Sequence, residues 1–315
     1  MNNKSSSKNK ALKILLIIVS VFIVISLSIL ALTPWLIMKG VLGKHIEREV
    51  FKASDFNIDA EEIVLTTQDE LKIASWFVKA ENSKANIIVL SGIESPSVTA
   101  FFSYSKVFQE RGFNTLLVEM RAHNASEGNE VKLGMEEWKD VRAGVEFLKS
   151  KNDHPTVVLG TSMGGATALV SLGEIPDLAG AVSISAYSSF TDVFADNMEL
   201  MGVPSFYTEL QKPFVNLYFG VHFGFNNLNY IPINGLQKAE ERPILFMHTT
   251  QDTQIPFKSF ERLTSEAKRL GLDYSTLIRE TDDHFFIKDD MFETPEIDPE
   301  FFDVITEFIE DDVLK

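Results

Sequence analysis

The hydrophobic pattern changes its period along this chain, and each period predicts a different kind of element. After a polar Ser/Asn/Lys-rich start, Ile14 opens and Leu32 closes a stretch, residues 14–32, with no charge, proline or glycine. At about 1.5 Å of rise per residue it reaches roughly 30 Å, the hydrocarbon thickness of a bilayer, and predicts a transmembrane helix. From residue 58 the period falls to two: 58–67 and 71–79 read as strands split by Gln68-Asp69-Glu70, a hairpin. From Ala85 onward short continuous apolar runs alternate with amphipathic segments, the signature of a largely parallel sheet covered on both faces. The strands fall at 86–91, 114–120, 156–161, 180–185, 244–248 and 274–279. Trp138, Val141, Val145 and Leu148 stripe one helix, and Phe257, Phe260, Leu263, Ala267 and Leu270 another. A closing helix takes Asp298 as N-cap and Pro299 at its first position, buries Phe301, Val304, Ile305 and Phe308, and turns an acidic face to solvent.

One segment breaks this rhythm. Residues 187–236 exceed an ordinary crossover and are rich in aromatics and methionine, including Phe190, Phe194, Met198, Met201, Tyr218 and Phe219. They predict a small helical cap over the carboxyl edge of the sheet. Most of these rings pack the cap itself, and a few face the crevice where open α/β sheets bind ligands. The expected organisation is a cytoplasmic polar tail (1–13), a transmembrane helix (14–32), a juxtamembrane stalk (33–56) and an α/β domain (57–315) with the cap inserted at 187–236. The fold class is α/β, with a mostly parallel eight-stranded sheet.

Composition narrows the partners. The 315 residues carry a formal net charge of −16, which argues against nucleic acid. From Ile14 onward 25 basic residues face 45 acidic ones, so the globular part is expected to stand off anionic lipid. There is no cysteine, hence no disulfide, thiolate metal site or cysteine nucleophile, and no metal or organic cofactor is implied. Lys4, Lys8, Lys10 and Lys13 precede the apolar stretch while Lys39, Lys44 and Arg48 follow it, a slight bias that puts the N-terminus in the cytoplasm and the rest outside, in a single-pass cell-membrane protein. Trp35 stands where an interfacial anchor is expected. An uncleaved anchor is favoured over a secreted, processed form, because the stretch exceeds a signal-peptide core and Ile29-Leu30-Ala31 is a poor cleavage site.

Candidate chemistry centres on residues 156–170, TVVLGTSMGGATALV. A β-branched run meets Gly160-Thr161-Ser162-Met163-Gly164 and passes into a small-residue helix: the strand, sharp turn and helix of a nucleophile elbow. The turn lifts Ser162 clear of the sheet, and strand and helix collide unless Gly160 and Gly164 lack side chains. A hydroxyl so placed needs a base, and the base an orienting acid. Of the six histidines, His45 falls in the stalk, His154 in a loop, His222 in the cap and His248 inside an apolar strand. His284 follows the last strand and reaches the same sheet edge as Ser162, so it is the candidate base. Asp252, just after the strand at 244–248, is the candidate acid; Asp282 and Asp283 compete but adjoin the histidine too closely. The order Ser162, Asp252, His284 is that of α/β-hydrolases.

With these pieces, Val89-Leu90-Ser91-Gly92-Ile93 and the run from Met120 to Gly128, the chain from about residue 58 resembles an α/β-hydrolase of the membrane-anchored, serine-aminopeptidase-like (Bem46-type) group. The resemblance implies a structural role for His123. It departs from the family pattern at Ser91-Gly92 in place of His-Gly, at Thr249 in place of Gly and at Asp283 in place of Gly. The oxyanion hole is expected from the backbone N–H groups of Met163 and Ile93. Glu94 follows directly, either facing solvent or binding a cationic substrate group. The expected function is a membrane-anchored serine hydrolase cleaving an ester or amide of a small molecule or short peptide with an apolar part. Esterase, lipase, thioesterase and aminopeptidase stay open, and the altered oxyanion loop leaves a catalytically silent, membrane-tethered binding module as the alternative.

Overall fold

In the computed structural model the described residues are 3–41, 44–93, 96–286 and 294–315. The chain opens with α1 (Asn3–Val41), which contains a stretch from Leu12 to Met38 long and apolar enough to cross a membrane. Ser28 and Thr33 donate their hydroxyls to the carbonyls of Val24 and Ile29, each at 2.8 Å, so neither brings an unsatisfied polar group into this stretch. The helix continues past Pro34, further than the 14–32 stretch predicts; the proline removes one donor and crowds the carbonyl four residues before it, and burial of Met38 in the turn beyond offsets that cost.

Residues 44–56 lie along the α/β body. Ile46 N–H donates to the Ala122 carbonyl (2.8 Å), Asn124 N–H to that of Ile46 (2.9 Å), and Phe51 N–H to Thr99 Oγ1 (2.9 Å). Then come β1 (Glu61–Thr66), β2 (Lys72–Val78), β3 (Ala85–Leu90), α2 (Phe102–Glu110), β4 (Phe113–Val118), α3 (Trp138–Lys151), β5 (Thr156–Thr161), α4 (Met163–Glu174) and β6 (Leu178–Ile184). The cap segment follows as α5 (Phe190–Leu200), α6 (Ser205–Phe223) and α7 (Pro232–Leu236), and the chain closes with β7 (Ile244–Thr249), α8 (Lys258–Leu270), β8 (Tyr274–Arg279) and α9 (Pro299–Phe308).

The eight strands form one sheet in the order β1-β2-β4-β3-β5-β6-β7-β8. β2 is antiparallel to both its neighbours, and every pair from β4 onward is parallel. Successive side chains on β3 alternate between two cores: Ile88 and Leu90 join α3, α4 and α8 on one face, and Ile87 and Val89 join α2 and α9 on the other. That double cover explains why the central strands read as unbroken apolar runs. Asp298 caps α9 by accepting from Phe301 N–H and is held by Arg279. The result is the α/β-hydrolase fold, with the strand pattern the sequence predicts.

α7 does not roof the crevice. It packs on α4, where a Cβ on Gly235 would come within 2.2 Å of the Leu169 carbonyl oxygen, and none of its residues lines the pocket over Ser162. The stripe of α1 formed by Leu30, Pro34 and Met38 is buried, and the Trp35 ring meets Tyr218 of α6 edge-on at 4.8 Å.

Candidate active site

Ser162 sits between β5 and α4 with φ 58° and ψ −120°, a conformation that costs a non-glycine residue energy and persists only where surroundings fix it. The surroundings are backbone. A Cβ on Gly160 would lie 2.2 Å from the Gly164 carbonyl, and one on Gly164 2.6 Å from the carbonyl oxygens of Leu90 and Ser91. Both elbow glycines are therefore required by contact, as their spacing predicts. Gly165 completes the contact, since its Cβ would fall 2.8 Å from Ile184 O on the neighbouring strand. Ser162 N–H donates to that same oxygen at 2.8 Å, tying the elbow to β6.

Asp252 lies three residues past β7 and is buried. One carboxylate oxygen accepts from the N–H groups of Gln254 (2.8 Å) and Ile255 (2.9 Å), which fixes its plane. The other accepts from Nδ1 of His284 at 2.7 Å. This hydrogen bond sets the tautomer of the ring and leaves Nε2 free to take a proton. Ser162 and His284 line one pocket, but their side chains do not hydrogen-bond each other; in enzymes of this kind that contact often tightens only around substrate. Asp283, one of the competing acids, presents its backbone carbonyl to Thr249 Oγ1 at 3.2 Å.

The residues expected to supply the oxyanion donors both line this pocket. Met163 is the first residue of α4, where helix N–H groups have no partner within the helix, and Ile93 lines the pocket. Arg48, from the docked stalk, donates through Nη2 to the Ile93 carbonyl and so holds the peptide next to the expected donor. Glu94 lies outside the described residues.

The other histidines fall elsewhere. His248 is buried in β7, contacts the Ile255 carbonyl through Nε2 at 2.9 Å, and burial pushes its imidazole below the ordinary range. It braces the Asp252 turn from behind. His123 contacts the Arg121 carbonyl at 3.0 Å, His222 pairs with Glu130 at 3.0 Å, and both ring nitrogens of His45 meet carbonyls of the 124–128 loop.

The pocket holds about 360 Å³ and is overwhelmingly apolar. Its walls come from Tyr187, Phe190, Phe194 and Met198 of the cap segment, from Leu133 and Ile255 and, unforeseen, from Ile37 and Met38 of α1. Burial pushes the Tyr187 phenol well up, so it stays protonated and donates to the Leu133 carbonyl at 2.9 Å. The signal for α1 was the apolar run beyond Pro34, which is longer than a span needs.

Residues 99–303 match the prolyl oligopeptidase family. The uncharacterized protein YqkD of Bacillus subtilis is 27% identical over 196 residues, 61% of this chain and 63% of that protein, so this chain spans less than two-thirds of that relative's length. Among solved structures, the Pyrococcus furiosus esterase Pf2001 superposes with a TM-score of 0.65 at 20% identity, over 85% of this chain and 98% of the esterase. The Pyrococcus horikoshii acylaminoacyl peptidase gives 0.60 at 16% identity, over 82% of this chain and 42% of the peptidase. Both likenesses speak to the fold.

Proposed function

This chain belongs to the prolyl oligopeptidase family and is a hydrolase of the serine-hydrolase class, and from that premise we propose that it is a membrane-anchored enzyme that forms an acyl-enzyme on Ser162. The observation that carries the reading is one arrangement: a serine in a strained elbow, facing the same pocket as an imidazole that is hydrogen-bonded at 2.7 Å to a buried carboxylate. Ser162 Oγ attacks the substrate carbonyl while His284 Nε2 takes its proton. The oxygen of the tetrahedral intermediate receives the N–H groups of Met163 and Ile93, each donor of this kind being worth roughly 2.7–4 kcal/mol. The carbonyl's bond to the leaving alcohol or amine then breaks as His284 returns the proton to it. Water, deprotonated by the same ring, releases the acid and restores Ser162. Asp252 keeps its hydrogen bond to His284 Nδ1 and stabilises the imidazolium.

The finer assignment, a membrane-anchored serine-aminopeptidase-like (Bem46-type) hydrolase, rests on the motifs quoted above, and the apolar stretch of α1 is compatible with a single-pass anchor. The cytoplasmic N-terminus and external catalytic domain rest on the lysine bias alone. The apolar pocket favours an ester or amide with an apolar acyl part over a charged substrate. The esterase and peptidase among the structural neighbours accord with either bond. A fluorophosphonate probe, which phosphonylates an activated serine, is expected to label the full-length protein and to leave Ser162→Ala unlabelled. A folded wild-type protein that takes no label would overturn the proposal and return the silent binding module.

A further inference from the structure

Resting on that reading, we propose that the outer face of α6 lies on the bilayer that α1 crosses, and that the substrate is a membrane lipid whose ester-linked acyl chain enters the pocket from the hydrocarbon. The first observation is a stripe. Phe206, Leu210, Leu217 and Val221 are 70%, 53%, 48% and 57% exposed, and their helical spacing places them on one face of α6. A soluble surface rarely shows so much contiguous apolar area, whereas a helix lying in a membrane interface requires it.

The second observation is charge. Almost a quarter of the chain is Asp, Glu, Lys or Arg, yet none occurs from Pro213 to Gln237. On the first half of α6, Glu209 pairs with Lys212 at 2.7 Å, and Lys212 also reaches Asp192 of α5 at 3.0 Å. From Pro213 onward no charge on this face resists leaving water, so most of the acidic balance that repels anionic lipid resides elsewhere. Part of it is at the end of α9, on the opposite face of the sheet from the core that the cap joins.

Continuity with α1 decides the occupant. Its apolar stretch runs from Leu12 to Met38, and the part packed on the cap, Leu30 to Met38, belongs to that same stretch. No polar spacer separates the span from α6, and roughly 20 residues suffice to cross the hydrocarbon. The cap therefore sits at the membrane surface wherever α1 is inserted. The pocket carries the argument to substrate. Ile37 of α1 and Met201 at the end of α5 line it while 45% and 83% exposed, so its rim is apolar, and at Ile37 it is made by the same apolar stretch that enters the bilayer. An acyl chain passes from bilayer to Ser162 without crossing water, and its carboxyl ester arrives beside the serine hydroxyl.

The test uses the full-length protein in phosphatidylcholine vesicles. Because the chain has no cysteine, Leu217→Cys carries a single nitroxide, with Val64→Cys, 67% exposed on β1, as the reference. The expected result is a several-fold higher ratio of oxygen to nickel-chelate collisions at position 217 than at 64. Leu210→Glu combined with Val221→Glu is expected to hydrolyse bilayer-held 4-nitrophenyl palmitate about tenfold more slowly, since charges on that face oppose its seating, while turnover of dissolved 4-nitrophenyl acetate stays unchanged. Equal ratios at 217 and 64 would overturn the docking, as would short nitroxide–nitroxide distances marking a second copy of the chain as the occupant. Unchanged palmitate hydrolysis by the double variant would overturn the lipid route. Failure of the fluorophosphonate probe to label the wild type would instead strike the hydrolase reading and the substrate with it, leaving the collision ratios to judge the docked face separately.

Discussion

A methyl group added at Gly164 would sit 2.6 Å from two backbone oxygens, but one added at Gly202, between α5 and α6, would meet nothing within 4 Å. The floor and roof of the same pocket are built by different means. The floor is a set of directional contacts: the glycine contacts of the elbow, two N–H groups on Asp252 and its hydrogen bond to His284. The roof presents rings and thioethers to the pocket, and although α5 is anchored at its back by Arg262 on Asp196, the lining itself is held mainly by dispersion and burial, which set distance but not angle. Chemistry needs angular precision, and an apolar ligand needs only a shaped, yielding wall. Floor substitutions should therefore strike turnover, and roof substitutions the recognition of the acyl part.

The largest expected effect is on the floor. Asp252→Asn keeps the shape but presents an amide to His284, which favours the wrong tautomer, so kcat should fall about 10⁴-fold. The melting temperature should move little, because an amide oxygen can still accept from Gln254 and Ile255. Steady-state kinetics beside thermal unfolding check this, and a loss confined to KM would erase the distinction between floor and roof. Gly164→Ala comes next. Its Cβ meets backbone rather than a pliable side chain, so the cost should reach about 3 kcal/mol, the upper part of the range for overpacking. Denaturant unfolding measures it, and an unchanged midpoint would show that the elbow can relax.

The same division sets what the sequence could tell. Floor elements are local and periodic: the apolar runs of β3 to β7, the Gly160–Gly164 spacing, and the proline and aspartate that begin α9 all carry their geometry in adjacent residues. His284 and Asp252 were legible because topology brings strand ends to one edge. The roof depends on contacts between residues far apart in the chain. That α1 would lie against α6 through Trp35 and Tyr218, and lend Ile37 and Met38 to the pocket, follows from no local pattern; an apolar helix satisfies the same pattern in lipid or against protein. Nor does spacing reveal that Arg48 would reach the Ile93 carbonyl across a 45-residue separation.

Met201 offers the finest test, because it lines the pocket while 83% exposed and holds nothing else in place. Met201→Ser removes a flexible thioether from the rim without opening a cavity, so stability should change by no more than about 0.5 kcal/mol. The loss of an apolar contact should raise KM for a long-chain ester about fivefold, since one methylene-sized change in such a contact is worth roughly 1 kcal/mol. The acetyl ester is too short to touch the rim, so its kcat and KM should hold. Measuring both esters on one preparation separates the arms: a fall in acetyl-ester kcat would mean that the rim positions the floor, and the division between a rigid base and a yielding cover would fail at its outermost residue.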